Sequence, residues 1–175
     1  MSHPVPGYWI PLVHEKPSAA DGSLQYVMFD QRTWKKSVNE SWLMAIHLVS
    51  TLLMVGIIWF VQIVHYPLME YVGPEHFREY SEQHQTRTTW VVGGPMLLEA
   101  GTAAALVWFQ PGRLLTPAYG ISVVLLVLIW ISTAYWQVPH HEKLLDGFDE
   151  FRIQKLARSN WFRTFAWSIR GVLIG

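Results

Sequence analysis

The sequence predicts an all-α integral membrane four-helix bundle carrying an irregular N-terminal tail. Three observations predict it. The first is segregation of charge. Over 175 residues Lys+Arg 13 balance Asp+Glu 13, and charged residues make up only 15%, below the roughly 25% of soluble domains. Residues 41–69 hold no Lys, Arg, Asp or Glu, residues 88–112 hold only Glu99, and residues 114–141 again hold none. Each stretch is long enough to cross a hydrocarbon core of ~30 Å at ~1.5 Å per residue. The second is the all-round apolar character of these stretches, which suits lipid or a bundle interior. The third is the tryptophan content, Trp 10, with Trp42, Trp90, Trp108 and Trp136 near the expected span ends, as in aromatic belts. This pattern excludes a typical soluble enzyme and a nucleic-acid binder that relies on a basic surface. Cys 0 excludes disulfides, thiolate metal sites and thioether-attached haem.

Two regions follow, an N-terminal extension over 1–40 and a helical bundle over 41–175. The extension contains Pro4, Pro6, Pro11 and Pro17 and shows no signal-peptide pattern. Its aromatic residues exceed what a flexible tail carries, so the tail is expected to lie either on this protein's own loops or on a partner, with Tyr8, Trp9, Phe29 and Trp34 as the partner-binding residues. Span one covers about 43–65 and is expected to end at Tyr66-Pro67, because proline cannot donate the helical hydrogen bond. Gly73-Pro74 then opens a short helix on which His76, Tyr80 and His84 share a face. Span two covers about 90–109, with Gly93, Gly94, Gly101 and neighbouring alanines to let helix backbones approach closely. Pro111-Gly112 signals a tight turn. Span three covers about 115–137. Asp149 reads as a helix N-cap, and a fourth segment at about 156–174 completes the bundle, with an interfacial amphipathic helix as its alternative. Six basic residues in the two longer loops, against four in the end of the tail and the short loop, favour the longer loops as cytoplasmic.

The topology gathers the end of span one, the start of span two, the end of span three and the start of segment four on one side of the membrane. His65, His76, His84, His140 and His141 collect there, whereas His47 lies near the other end of span one. Glu99 lies nine residues into span two, about 13 Å deep. An intramembrane carboxylate is costly unless paired, protonated or hydrated. Arg170 lies at a matching depth in segment four, so a structural ion pair Glu99–Arg170 is one reading, with Arg163 as a second candidate partner. A proton-accepting or metal-binding Glu99 is a second reading, which makes it the candidate catalytic residue, and a protonated or water-bound carboxyl is a third. Imidazole and carboxylate suit iron, copper, manganese or zinc. His65, His84, His141 and Glu99 are therefore the candidate ligands of a metal ion, and one imidazole could instead contact haem or a pigment. No HExxH, phosphate loop or nucleophile elbow is present.

The run WFVQIVHYPLM at 59–69, then EHFREYSEQH, then TTWVVGGPMLLEAGTA at 88–103 resembles a group of small uncharacterised bacterial four-span membrane proteins. The C-terminal QVPHHEKL and LARSNWFRTFAWSIR are similar to that group and, more distantly, to the anthrone-oxygenase-like family. The second likeness rests on Pro139, Asn160, Trp161 and Arg163. The resemblance covers roughly residues 43–175, excludes the tail, and implies a four-helix membrane bundle.

Two functions are expected from these readings. One is an accessory subunit of a larger bacterial membrane complex of photosynthetic or respiratory type. Located in the inner membrane, it would pack its spans and tail against other subunits, lipid or pigment. The alternative is a small membrane oxidoreductase or oxygenase, holding a metal or an apolar substrate near Glu99 and the histidines. A transporter is a weaker fit, because no internal repeat or broken-helix pair is evident in the sequence.

Overall fold

A computed structural model describes residues 8–11, 26–29 and 31–175, with side chains described from residue 39 onward. The chain divides into two units, 1–42 and 43–175. In the first unit, β1 (Tyr8–Pro11) pairs antiparallel with β2 (Tyr26–Phe29), Tyr8 opposite Phe29 and Trp9 opposite Met28. The expectation of a wholly irregular tail is corrected to that extent. Tyr8, Trp9 and Phe29 lie on this strand pair and Trp34 in the first turn of the helix that begins at Gln31; the side chains assigned to partner binding lie outside the described residues.

The second unit is built of helices joined by short turns, and its first helix begins within the first unit. Helix α1 (Gln31–Phe60) runs through a π-turn at Val61–His65 into α2 (Tyr66–Met69). Helix α3 (Pro74–Phe109) is unbroken, and a 3-10 turn at Pro111–Leu115 leads to α4 (Pro117–Ser132). A second π-turn at Thr133–Gln137 joins α4 to α5 (Val138–Lys143), and a 3-10 turn at Leu144–Asp146 precedes α6 (Glu150–Ile174). Gly147 turns the chain at φ 137°, a backbone region that only glycine enters at no steric cost. Asp149 caps α6 by accepting the Arg152 backbone N–H at 3.0 Å, and that bond holds its carboxyl below the ordinary range.

Span one does not end at Tyr66-Pro67. The Tyr66 N–H bonds the Val61 carbonyl, one residue further back than in an α-helix, and the helix continues to Met69. Sequence spacing explains the wide turn. The inward residues Met54, Ile58, Gln62 and Tyr66 are each four apart, which overshoots a turn of 3.6 residues. One π-turn absorbs the surplus and keeps all four facing the core. The proline tolerates it because a π-turn already disrupts the α ladder that Pro67 could not complete. The same device recurs in span three, where the Val138 N–H bonds the Thr133 carbonyl immediately before Pro139. His140 and His141 therefore continue a helix rather than capping a new one.

Three helical stretches, Asn39–Met69, Pro74–Phe109 and Pro117–Asp146, are long and apolar enough to cross a membrane. Helix α6 packs among them through Ile153, Leu156, Asn160, Arg163, Trp167, Arg170 and Ile174, its buried side. The interior is layered. Apolar clusters form around Tyr66, Phe77 and Leu156 at the long-loop end, around Met54, Met96 and Trp167 in the middle, and around Leu106 and Tyr119 at the far end. Polar layers lie between them, one built on Gln62 and Asn160, the other on Glu99 and Arg170.

The glycines of span two do not provide the expected close approach. A Cβ on Gly93, Gly94 or Gly101 would meet no atom within 4 Å. The close approach falls on α6, where a Cβ on Gly171 would lie 3.3 Å from Val55 Cγ2 and 3.6 Å from Leu52 Cδ2.

Candidate functional site

Glu99 and Arg170 meet deep in the bundle. Arg170 Nη2 donates to Glu99 Oε1 at 2.9 Å, both side chains having 0% exposure. The same oxygen accepts from Thr51 Oγ1 at 2.6 Å and from Arg170 Nε at 3.3 Å, and Oε2 accepts from the Trp167 indole at 3.0 Å. Arg170 Nη1 also donates to the Ser122 carbonyl. Four helices thus contribute to one carboxylate–guanidinium centre, and both carboxylate oxygens are engaged. Next to it, His47 Nδ1 lies 2.9 Å from Thr102 Oγ1. Thr51 and Trp167, which complete the Glu99 shell, were not singled out from the sequence. Among the described residues Trp167 is a fully buried tryptophan, whereas Trp90 and Trp108 are at 82% exposure.

The structure brings His65, His84 and His141 together but separates them from Glu99. His65 and His84 stack with centroids 4.2 Å apart and planes 20° from parallel, and His141 follows at 5.3 Å from His84. Tyr80 extends the stack against both His65 and His84. An imidazole lone pair lies in the ring plane, so parallel rings direct their nitrogens alongside one another instead of toward one point. Among the described residues no three His, Cys, Asp or Glu side chains form a group that could hold a metal ion. The candidate ligands His65, His84, His141 and Glu99 thus do not form one metal-binding group.

Arg163 does not join Glu99 either. It lies one polar layer nearer the long loops, with 7% exposure. Its Nη1 donates to Asn160 Oδ1 at 3.1 Å, its guanidinium sits 5.0 Å from the Trp167 ring centroid, and its Nε has no hydrogen-bond partner. The Asn160 amide is itself fixed, since Nδ2 donates to Gln62 Oε1 at 3.0 Å and Gln62 Nε2 to the Ala157 carbonyl at 3.1 Å.

Arg163 lines a cavity of about 320 Å³. The deep wall is apolar, formed by Met54, Ile58, Val92 and Met96, and the wall toward the loops carries Tyr66, His84, Gln137 and His141. Glu142 lies at its rim, exposed and in no ion pair with Arg163. Both π-turns border the space. Val61 comes from the first, which Tyr66 directly follows, and Thr133 and Gln137 come from the second, which Val138 directly follows. Tyr66 OH donates to Gln137 Oε1 at 3.4 Å and lies 3.4 Å from His141 Nε2, while Gln137 Nε2 donates to Ser159 Oγ at 3.0 Å. These are long, adaptable contacts at one end of an apolar space, the usual make-up of a small-molecule site.

Neither Tyr66 nor Gln137 was legible as a site residue; the signal was the Tyr66-Pro67 and Val138-Pro139 pair, each following a glutamine within the apolar run. Comparison with protein-family models, curated proteins and solved structures finds no match.

Proposed function

We propose that this chain is an integral membrane protein of the bacterial inner membrane, with α6 as its fourth span, and that it binds a small, largely apolar molecule in the cavity between its helices. The observation that carries this reading is the cavity itself. It is bordered by two π-turns, irregularities that recur at functional sites, and it joins a hydrocarbon-lined depth to a polar wall. The apolar substrate of the oxidoreductase expectation is retained and its place moves from Glu99 to the space beneath His84 and His141.

The test is occupancy. The full-length protein is reconstituted in nanodiscs and exposed to a photoactivatable alkyl probe, and crosslinked peptides are mapped. Labelling is expected on Met54, Val92 and Met96, which face the cavity. It should fall several-fold in Gly93→Phe, because Gly93 lines the cavity with open space beside its backbone. Equal labelling of cavity and lipid-facing residues, unchanged in Gly93→Phe, rejects the reading.

A second reading, an accessory subunit of a larger membrane complex, is supported by the separate N-terminal unit and its strand pair. It predicts that native electrophoresis in mild detergent shows the chain comigrating with other subunits, and that deletion of residues 1–30 releases it.

A further inference from the structure

We infer that the cavity's occupant carries a single carboxylate, held by Arg163, so that the ligand class is a long-chain monocarboxylate such as a fatty acid anion. This rests on the cavity being a binding site.

Two arginines on one helix, seven residues apart, carry the argument. Arg170 is buried and fully answered, by the Glu99 carboxylate and the Ser122 carbonyl. Arg163 is nearly as buried, yet among the described residues no carboxylate lies within ion-pairing distance of it. Its neighbours are neutral, namely the Asn160 amide and the Trp167 ring face, and Nε is left without a partner. A buried cation without a counter-charge is costly. Among the described residues the other buried side-chain polar atoms without a partner are the hydroxyls of Ser81, Ser122 and Ser132. The unanswered guanidinium is on the wall of the cavity, with space for a ligand beside it.

The shape of the missing partner follows from the donors. A guanidinium presents a planar fork that matches a carboxylate in two hydrogen bonds. One positive charge is neutralised by one negative charge, whereas a phosphate dianion would leave charge uncompensated in an apolar setting. Tyr66 and Gln137 offer neutral polar groups beside the head. Met54, Ile58, Val92 and Met96 offer hydrocarbon contact to a chain. A space of about 320 Å³ suits one chain rather than a two-chain phospholipid.

The experiment measures binding of a long-chain fatty acid, its methyl ester and the matching alcohol to the full-length protein in nanodiscs, read by native mass spectrometry and by quenching of tryptophan emission. The acid is expected to bind about ten-fold more tightly than ester or alcohol, the scale of one charge-assisted contact. Arg163→Met is expected to abolish that preference while retaining ester binding. Should Arg163→Met not fold, Arg163→Lys, which keeps the charge and loses the fork, is expected to narrow the preference. Equal binding of acid, ester and alcohol to the unaltered protein overturns the carboxylate inference and leaves the cavity reading standing. Failure of all three to bind rejects both. A preference for acid that persists at full strength in Arg163→Met also overturns the inference, by placing the anion elsewhere.

Discussion

Arg170 and Glu99 form a fully enclosed ion pair at 2.9 Å, joining α6 to α3 at the level where α1 supplies Thr51 and α4 supplies the Ser122 carbonyl. Because neither side chain is exposed to solvent, each is the main compensation for the other's loss of hydration. Removing one partner leaves a charge with no answer, which costs about 3–5 kcal/mol, whereas removing both removes the problem. Glu99→Gln and Arg170→Gln are therefore each expected to lower stability strongly, and the double variant to be less destabilised than the sum of the two. Denaturant titration of the three variants in mild detergent measures the coupling; additive losses would show that the pair does not act as a unit.

A second expectation concerns backbone approach. Gly171 sits against Val55 and Leu52, and an added Cβ would be within 3.3 Å of the first. Gly171→Leu is expected to destabilise the bundle by about 1–3 kcal/mol through overpacking. Gly101, with nothing near its missing Cβ, should accept alanine with a gain of up to about 1 kcal/mol from helix propensity. Thermal unfolding of the two variants side by side decides it, and comparable losses at both sites would contradict the geometry.

A third concerns the first π-turn. Gln62 turns inward there and accepts the Asn160 amide while donating to the Ala157 carbonyl. Gln62→Leu strands Asn160 Nδ2 in the interior, an unsatisfied donor worth about 1–3 kcal/mol. The neighbouring Ile63 is exposed, so Ile63→Leu serves as a control expected within error of the unaltered protein. A Gln62→Leu variant as stable as that control would show that the Gln62–Asn160 contact contributes nothing net.

What the structure adds comes from residues that look ordinary in sequence. Gln62, Tyr66 and Gln137 are scattered polar residues in apolar runs, and only their convergence with Asn160 beside Arg163 gives them a common environment.

The sequence by itself determined the three apolar helices, because an uninterrupted run of apolar residues is a local property that any reading along the chain detects. It also marked Glu99 and Arg170 as exceptions at matching depth, since depth follows from counting residues at a fixed rise. The tertiary structure alone decided which arginine meets Glu99, that the histidines stack instead of converging, and that both prolines follow π-turns with the helix continuing past them. Those outcomes depend on helix rotation and on the fit of neighbouring side chains, and neither is encoded in the hydropathy of a single segment. The same packing leaves Arg163 facing a cavity while Arg170, two turns further on, is closed off.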